Sequence, residues 1–231
     1  MRKLLAAIKL DLYHQVRSGI LGIYVIITIL YIVLIGFLPE SIRSYAAFYI
    51  IFTDPSVLGF FFIGGIIMLE KQQGVIDYQV ITPLSPKMII LSKVISLALV
   101  SCISGTAIVI ASKTQVNYLI FLICIILTSS FFTLVGAWVA VRCDSINQYF
   151  VKVIPMMFVV ILPCFAMIKF PYYQLFRIFP SFMAIDAMYT GFFGDFSWWT
   201  LLELGGLLVY ILLMWSLVEK AFASHVVFKE K

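Results

Sequence analysis

Charge is scarce in this chain. Only 12% of its 231 residues are Asp, Glu, Lys or Arg, too few for a soluble protein of this size to cover its own surface. Histidine is nearly missing: His14 and His225 each stand alone in a terminal segment, with no second ligand nearby in sequence. The four cysteines, Cys102, Cys124, Cys143 and Cys164, have no metal-ligand spacing and lie in apolar runs or at their edges. They read as small buried hydrophobes. The 13 glycines form neither a GxxxxGKS/T phosphate cradle nor a GxGxxG turn. HExxH, GxSxG and a Cys/His pair at nucleophile spacing are also missing. These gaps exclude nucleotide hydrolysis on this chain, dinucleotide chemistry, and the common hydrolase and metalloprotease mechanisms.

Apolar residues fill the space that charge leaves. They make up 63% of the sequence, and the mean hydropathy of +1.11 makes lipid the expected solvent. The reading is an all-α polytopic membrane protein, a single transmembrane domain over 1–231. Six spans are expected, at about 18–39, 46–69, 88–112, 118–141, 151–169 and 198–218. The first contains an uncharged run of 22 residues, about 33 Å of helix at 1.5 Å per residue. Long continuous runs of this kind exclude a barrel of alternating strands.

Charge placement orients the spans. Six crossings put both termini on one side, together with Arg2, Lys3, Lys9, Arg17, Lys71, Lys87, Lys93, Arg142, Lys152, Lys220, Lys229 and Lys231. The other side keeps Arg43, Lys113, Lys169 and Arg177. The positive-inside rule makes the first side cytoplasmic, in a bacterial cytoplasmic membrane. The net charge of +5 is then a topology signal and calls for no nucleic-acid partner. A basic start before an apolar run resembles a signal peptide, but the run is too long and no small-x-small site follows, so it reads as a retained span.

Three further segments stand out. Residues 1–17 are amphipathic, with Leu4, Leu5, Ile8, Leu12 and Val16 on one stripe and the basic residues mostly opposite. Such a helix is expected to rest on membrane lipids at the cytoplasmic interface. Residues 170–197 are too apolar and aromatic for a solvated loop, yet Pro171, Pro180, Gly191 and Gly194 break them before they could span. An external re-entrant segment is expected there. Pro155 and Pro163, inside the fifth span, favour a kink. Ser18–Gly22 and Ser101–Gly105 offer small-xxx-small faces for helix packing within or between subunits.

Between Met68 and Lys93 the chain reads MLEKQQGVIDYQVITPLSPKMIILSK, an extended polar break between two spans. The Glu70-Lys71-x-x-Gly74 start, the Thr82-Pro83-Leu84-Ser85-Pro86 turn and Lys93 at the opening of the third span resemble the type-2 ATP-binding-cassette (ABC) exporter permeases. The six spans, the amphipathic start and the apolar external segment with Pro180 extend that resemblance over nearly the whole chain. It implies a non-catalytic transport subunit that works with two ABC ATPase subunits and a second permease copy or paralogue. ATP and Mg would reside on the ATPases, with no cofactor on this chain.

The resemblance also makes 70–87 a coupling helix docked on the ATPase. Glu70 would end the second span and pin the loop by pairing with a basic group, with Lys71 beside it. Gly74 would permit close packing, and Val75, Ile76, Tyr78 and Val80 would contact the ATPase. Pro83 would help turn the chain back, and Lys87 and Lys93 would mark the membrane surface. The loop 142–149 is a second contact candidate, though a plain turn with an Arg142–Asp144 pair explains it equally well.

Two carboxylates lie inside the expected spans. Asp54 stands 16 residues before Glu70 and Glu203 stands 16 before Glu219, each about 24 Å from the cytoplasmic edge. Either they line an outer gate that prefers cationic or zwitterionic cargo, or each is structural. In the structural case Asp54 caps a helix restarting at Pro55, and Glu203 is salt-bridged near the interface. The cargo expected of such a path is amphipathic: a drug, a peptide or a lipid-like molecule. The rival functions are an ATP-independent transporter and a membrane-embedded enzyme or assembly factor.

Overall fold

The computed structural model describes residues 2–57, 59–75, 85–167, 173–194 and 196–224. Six helical runs among them are long and apolar enough to cross a membrane: Ile20–Phe37, Glu40–Gln72, Pro86–Ser112, Tyr118–Ala140, Ile146–Cys164 and Trp198–Phe222. No strand occurs among the described residues. The helices are α1 (Arg2–Arg17), α2 (Ile20–Phe37), α3 (Glu40–Ile51), α4 (Gly59–Gln72), α5 (Pro86–Ser112), α6 (Tyr118–Ala140), α7 (Ile146–Ile161), α8 (Pro180–Phe193) and α9 (Trp198–Phe222).

Local chemistry sets the boundaries. Ser85, Asn117 and Ser145 each accept a hydrogen bond from the amide three residues on, capping α5, α6 and α7. Gly19 joins α1 to α2 at φ 78°, a left-handed turn that other residues enter only with strain. The Ser145 cap starts the fifth run at Ile146, earlier than the expected 151, which places Lys152 within the helix. The second run likewise begins at Glu40, ahead of the expected 46. Its interruption is a π-helical turn, Phe52–Ser56, and α4 restarts at Gly59. Asp54 is therefore not the cap of a helix beginning at Pro55. In the fifth run α7 tolerates Pro155 and passes into a 3-10 helix at Leu162–Met167, next to Pro163, whose ring opposes a regular turn.

Helix α6 is the axle of the bundle. It packs against α4, α5, α8 and α9, and small residues let the backbones approach. A Cβ on Gly136 would collide with the Phe60 carbonyl of α4, and Gly105 of α5 lies against Ile125. The hydroxyls of Ser101 and Ser129 meet at 3.1 Å between α5 and α6. The small-xxx-small face Ser101–Gly105 thus serves packing within the chain, whereas Gly22 faces open space. Tyr149 of α7 lies against Gly64 and donates its hydroxyl proton to the Phe60 carbonyl.

Two apolar clusters share this axle. One gathers Phe60, Ile67, Phe132, Tyr149, Val218 and Phe222 toward the end where α4 and α9 finish. The other gathers Phe48, Ile51, Phe121, Cys124, Met188 and Leu207 toward the opposite end. The outer faces of α2 and α9 expose Ile26, Leu30, Leu212 and Leu213, as lipid-facing helices do.

The segment after the fifth span turns back into the bundle. Tyr210 donates to the Ile178 carbonyl at 2.8 Å, 12 residues along α9 from Trp198 and so about 18 Å from its start. From there α8 returns, and its Gly191 carbonyl accepts the amide of Asn117 at the start of α6. Pro180 at the first turn of α8 gives up an amide that has no helical partner in any case.

If these close approaches hold the bundle, Gly136→Ala should cost about 1–3 kcal/mol by forcing α4 away from α6. Gly22→Ala should leave stability unchanged or slightly higher. Tryptophan-monitored melting in detergent reads both, and a Gly136→Ala midpoint at or above wild type would contradict the contact.

Candidate functional site

The chain's deepest charges converge where α1, α4 and α5 meet. Lys93 lies seven residues into α5, about 11 Å from Pro86, and its side chain is only 3% exposed. Its ammonium reaches Glu70 of α4 at 2.5 Å and Asp11 of α1 at 3.1 Å. One turn further on, Gln15 donates to Ser96 at 2.8 Å, and Ser96 donates to the Lys93 carbonyl at 3.0 Å. The spacing explains the dock. Ala7, Asp11 and Gln15 recur every four residues on one face of α1, and they are its buried residues.

Lys93 and α1 take settings that the sequence does not show. Lys93 does not mark a surface: two carboxylates compensate its desolvation, so it can stay inside. The inner face of α1 is the Ala7–Asp11–Gln15 stripe, and Leu5 and Val16 of the expected apolar stripe are exposed. Asp11, which the sequence does not single out, is the only acid among the first 17 residues, and that isolation among Arg2, Lys3, Lys9 and Arg17 is its one readable signal.

The neighbouring lysine faces another way. Lys71 donates to the carbonyls of Val141 at 2.9 Å and Cys143 at 2.8 Å, satisfying acceptors left open at the end of α6. Gly74 then takes φ 69°, and a Cβ added there would meet nothing within 4 Å. Its left-handed conformation ends the helix. Val75 is half-buried. Ile76, Tyr78, Val80 and Pro83 lie outside the described residues. Lys87 pairs with Glu219 of α9 at 3.1 Å, tying the start of α5 to the end of α9. In the second short loop Arg142 donates to the Trp138 carbonyl at 2.7 Å and lies 4.1 Å from that ring's centroid. It folds back on α6, in place of the expected pair with Asp144.

Asp54 and Glu203 have different partners. Asp54, on the π-helical turn, is directed at Tyr31 of α2. Glu203 lies 3.8 Å from Arg177, which also pairs with Asp186 of α8 at 3.4 Å. Arg43 is taken up by Glu40 at 3.8 Å and the Leu38 carbonyl at 2.9 Å.

These clusters fix helices against one another. The model of the fluoroquinolones export permease protein family matches residues 2–230. The chain belongs to this family. Two relatives, each described as a fluoroquinolones export permease protein from a strain of Mycobacterium tuberculosis, are 36% identical to this permease over 84 residues. The alignment spans 36% of this chain and 35% of either relative.

Replacing Lys93 by Met should destabilise this permease by about 3–5 kcal/mol, because Asp11 and Glu70 are left buried without a counter-charge. Adding Asp11→Asn and Glu70→Gln should recover most of that loss. Thermal unfolding in detergent measures both, and equal stability of the single and triple variants would contradict the ion cluster.

Proposed function

We propose that this chain is the membrane subunit of an exporter powered by two separate ABC ATPase subunits, paired with a second permease copy or paralogue. The observation that carries this reading is the clamp at the start of the 70–85 connection. Glu70 joins it through Lys93 to α1 and α5, and Lys71 joins it to the end of α6. A force applied to that connection by a partner would reach three helices and the axle through short, desolvated polar contacts.

In this reading ATP and Mg bind the partners, and closure of the ATPases tilts the spans. Glu70 and Lys71 hold the connection from within, and Val75, Ile76, Tyr78 and Val80 supply the outward contacts. The termini and the connection face the cytoplasm, as the distribution of basic residues supports. The cargo is amphipathic, and the names of the relatives make fluoroquinolone-like drugs the first compounds to try.

The test is co-expression with an ABC ATPase encoded beside this chain and purification through a tag on the permease. The ATPase should co-purify with wild type. Tyr78→Asp should remove it, and Glu70→Ala should leave it bound but no longer stimulated by cargo. No association with wild type, or full coupling in both variants, would overturn the reading.

A further inference from the structure

At the opposite end of the bundle from the clamp lies a second charged cluster with space beside it. Arg177 closes the 3-10 helix Tyr173–Ile178 and is the one described cation in a salt bridge with either Asp186 or Glu203. The two carboxyl groups also meet each other. The two carboxyl groups in contact share a proton, and losing it would leave them with one guanidinium and a formal charge of −1, which a second cation would balance. Their geometry is loose, at 3.4 and 3.8 Å, longer than a close charge-assisted hydrogen bond.

The space is a cavity of about 280 Å³, lined by Arg177, Ile178, Met183, Trp199, Leu202, Glu203 and Tyr210. Glu203 is only 4% exposed, yet its Oε1 and the Arg177 Nε that faces it at 3.8 Å both have no hydrogen-bond partner among the described residues. A buried carboxylate oxygen without a donor is costly, and here it borders a cavity whose other walls are mostly apolar and aromatic. Two carboxyl groups stand against the one guanidinium, whose charge also lies 5.0 Å from the Trp199 ring, so the cluster as a whole favours a cation over an anion.

We propose that this cavity binds a protonated amine carried on an apolar or aromatic body, with Glu203 receiving the ammonium and Trp199, Met183 and Leu202 holding the body. Bound there, the ammonium supplies the missing donor and balances the cluster. The inference rests on the export reading only in identifying this ligand with cargo.

Binding is measured on the purified permease in lipid nanodiscs without any ATPase, so failure of the ATPase partnership leaves it intact. The probes are ethidium, an aromatic organic cation, and Nile red, an uncharged dye, both read by fluorescence anisotropy. Wild type should bind ethidium saturably. Glu203→Gln should weaken ethidium about tenfold or more, the loss expected of one charge-assisted contact, and leave Nile red within about twofold. Asp186→Asn should weaken ethidium selectively as well, and it stands in if Glu203→Gln melts at a lower temperature than wild type. Unsaturable ethidium binding to wild type, or equal effects on the two dyes, would overturn the proposal.

Discussion

One buried ammonium constrains the terminus-bearing half of this molecule. In a chain with so few charges, Lys93 can sit at 3% exposure only where anionic oxygens surround it. Those oxygens come from two other helices, so satisfying one side chain fixes the mutual positions of α1, α4 and α5. Such a cluster need not add net stability, since desolvating three charged groups offsets much of their attraction. Its contribution is specificity. Any slip of α4 along α5 would strand a charge, and the arrangement has few neighbours of similar energy.

The rest of the bundle is specified by shape. Lipid tails are as apolar as the side chains that face them, so burial alone scarcely favours one helix arrangement over another. Close approach does. Gly59 against Thr133, Gly64 against Tyr149 and Gly136 against Phe60 bring α4, α6 and α7 into contact at distances a side chain would forbid. Hydroxyl pairs such as Ser101–Ser129 and Thr28–Ser104 add direction without charge. Helix α6, touched on most sides, has little freedom left.

Much of this is legible in the sequence because apolar length is a local property. The six runs follow from hydropathy alone, and the helix between the last two of them starts and stops at the expected Pro180 and Gly194 but runs through Gly191. The ion cluster is half legible: Glu70 and Lys93 stand out as charges at the edges of spans. Asp11 is hidden, since a lone acid in a basic amphipathic helix reads as part of its polar face until a partner at long sequence separation is placed. The Arg142 expectation fails for a related reason. Sequence proximity to Asp144 suggests an ion pair, whereas the Trp138 ring and carbonyl one turn back give the guanidinium a better-shaped partner. Gly74 stands out in the sequence as well, and its positive φ ends α4.

The two charged clusters differ in stiffness, and that difference has a mechanical meaning. At the clamp the ion pairs measure 2.5 and 3.1 Å and are desolvated, so displacement there is steeply penalised and motion passes on undiminished. Around Arg177 the pairs measure 3.4 and 3.8 Å beside an open cavity, so rearrangement costs little. A segment held this loosely can exchange one counter-ion for another without unpacking α8 from α6. A bundle that is rigid where the 70–85 connection begins and compliant around Arg177 would concentrate any imposed movement at the compliant end.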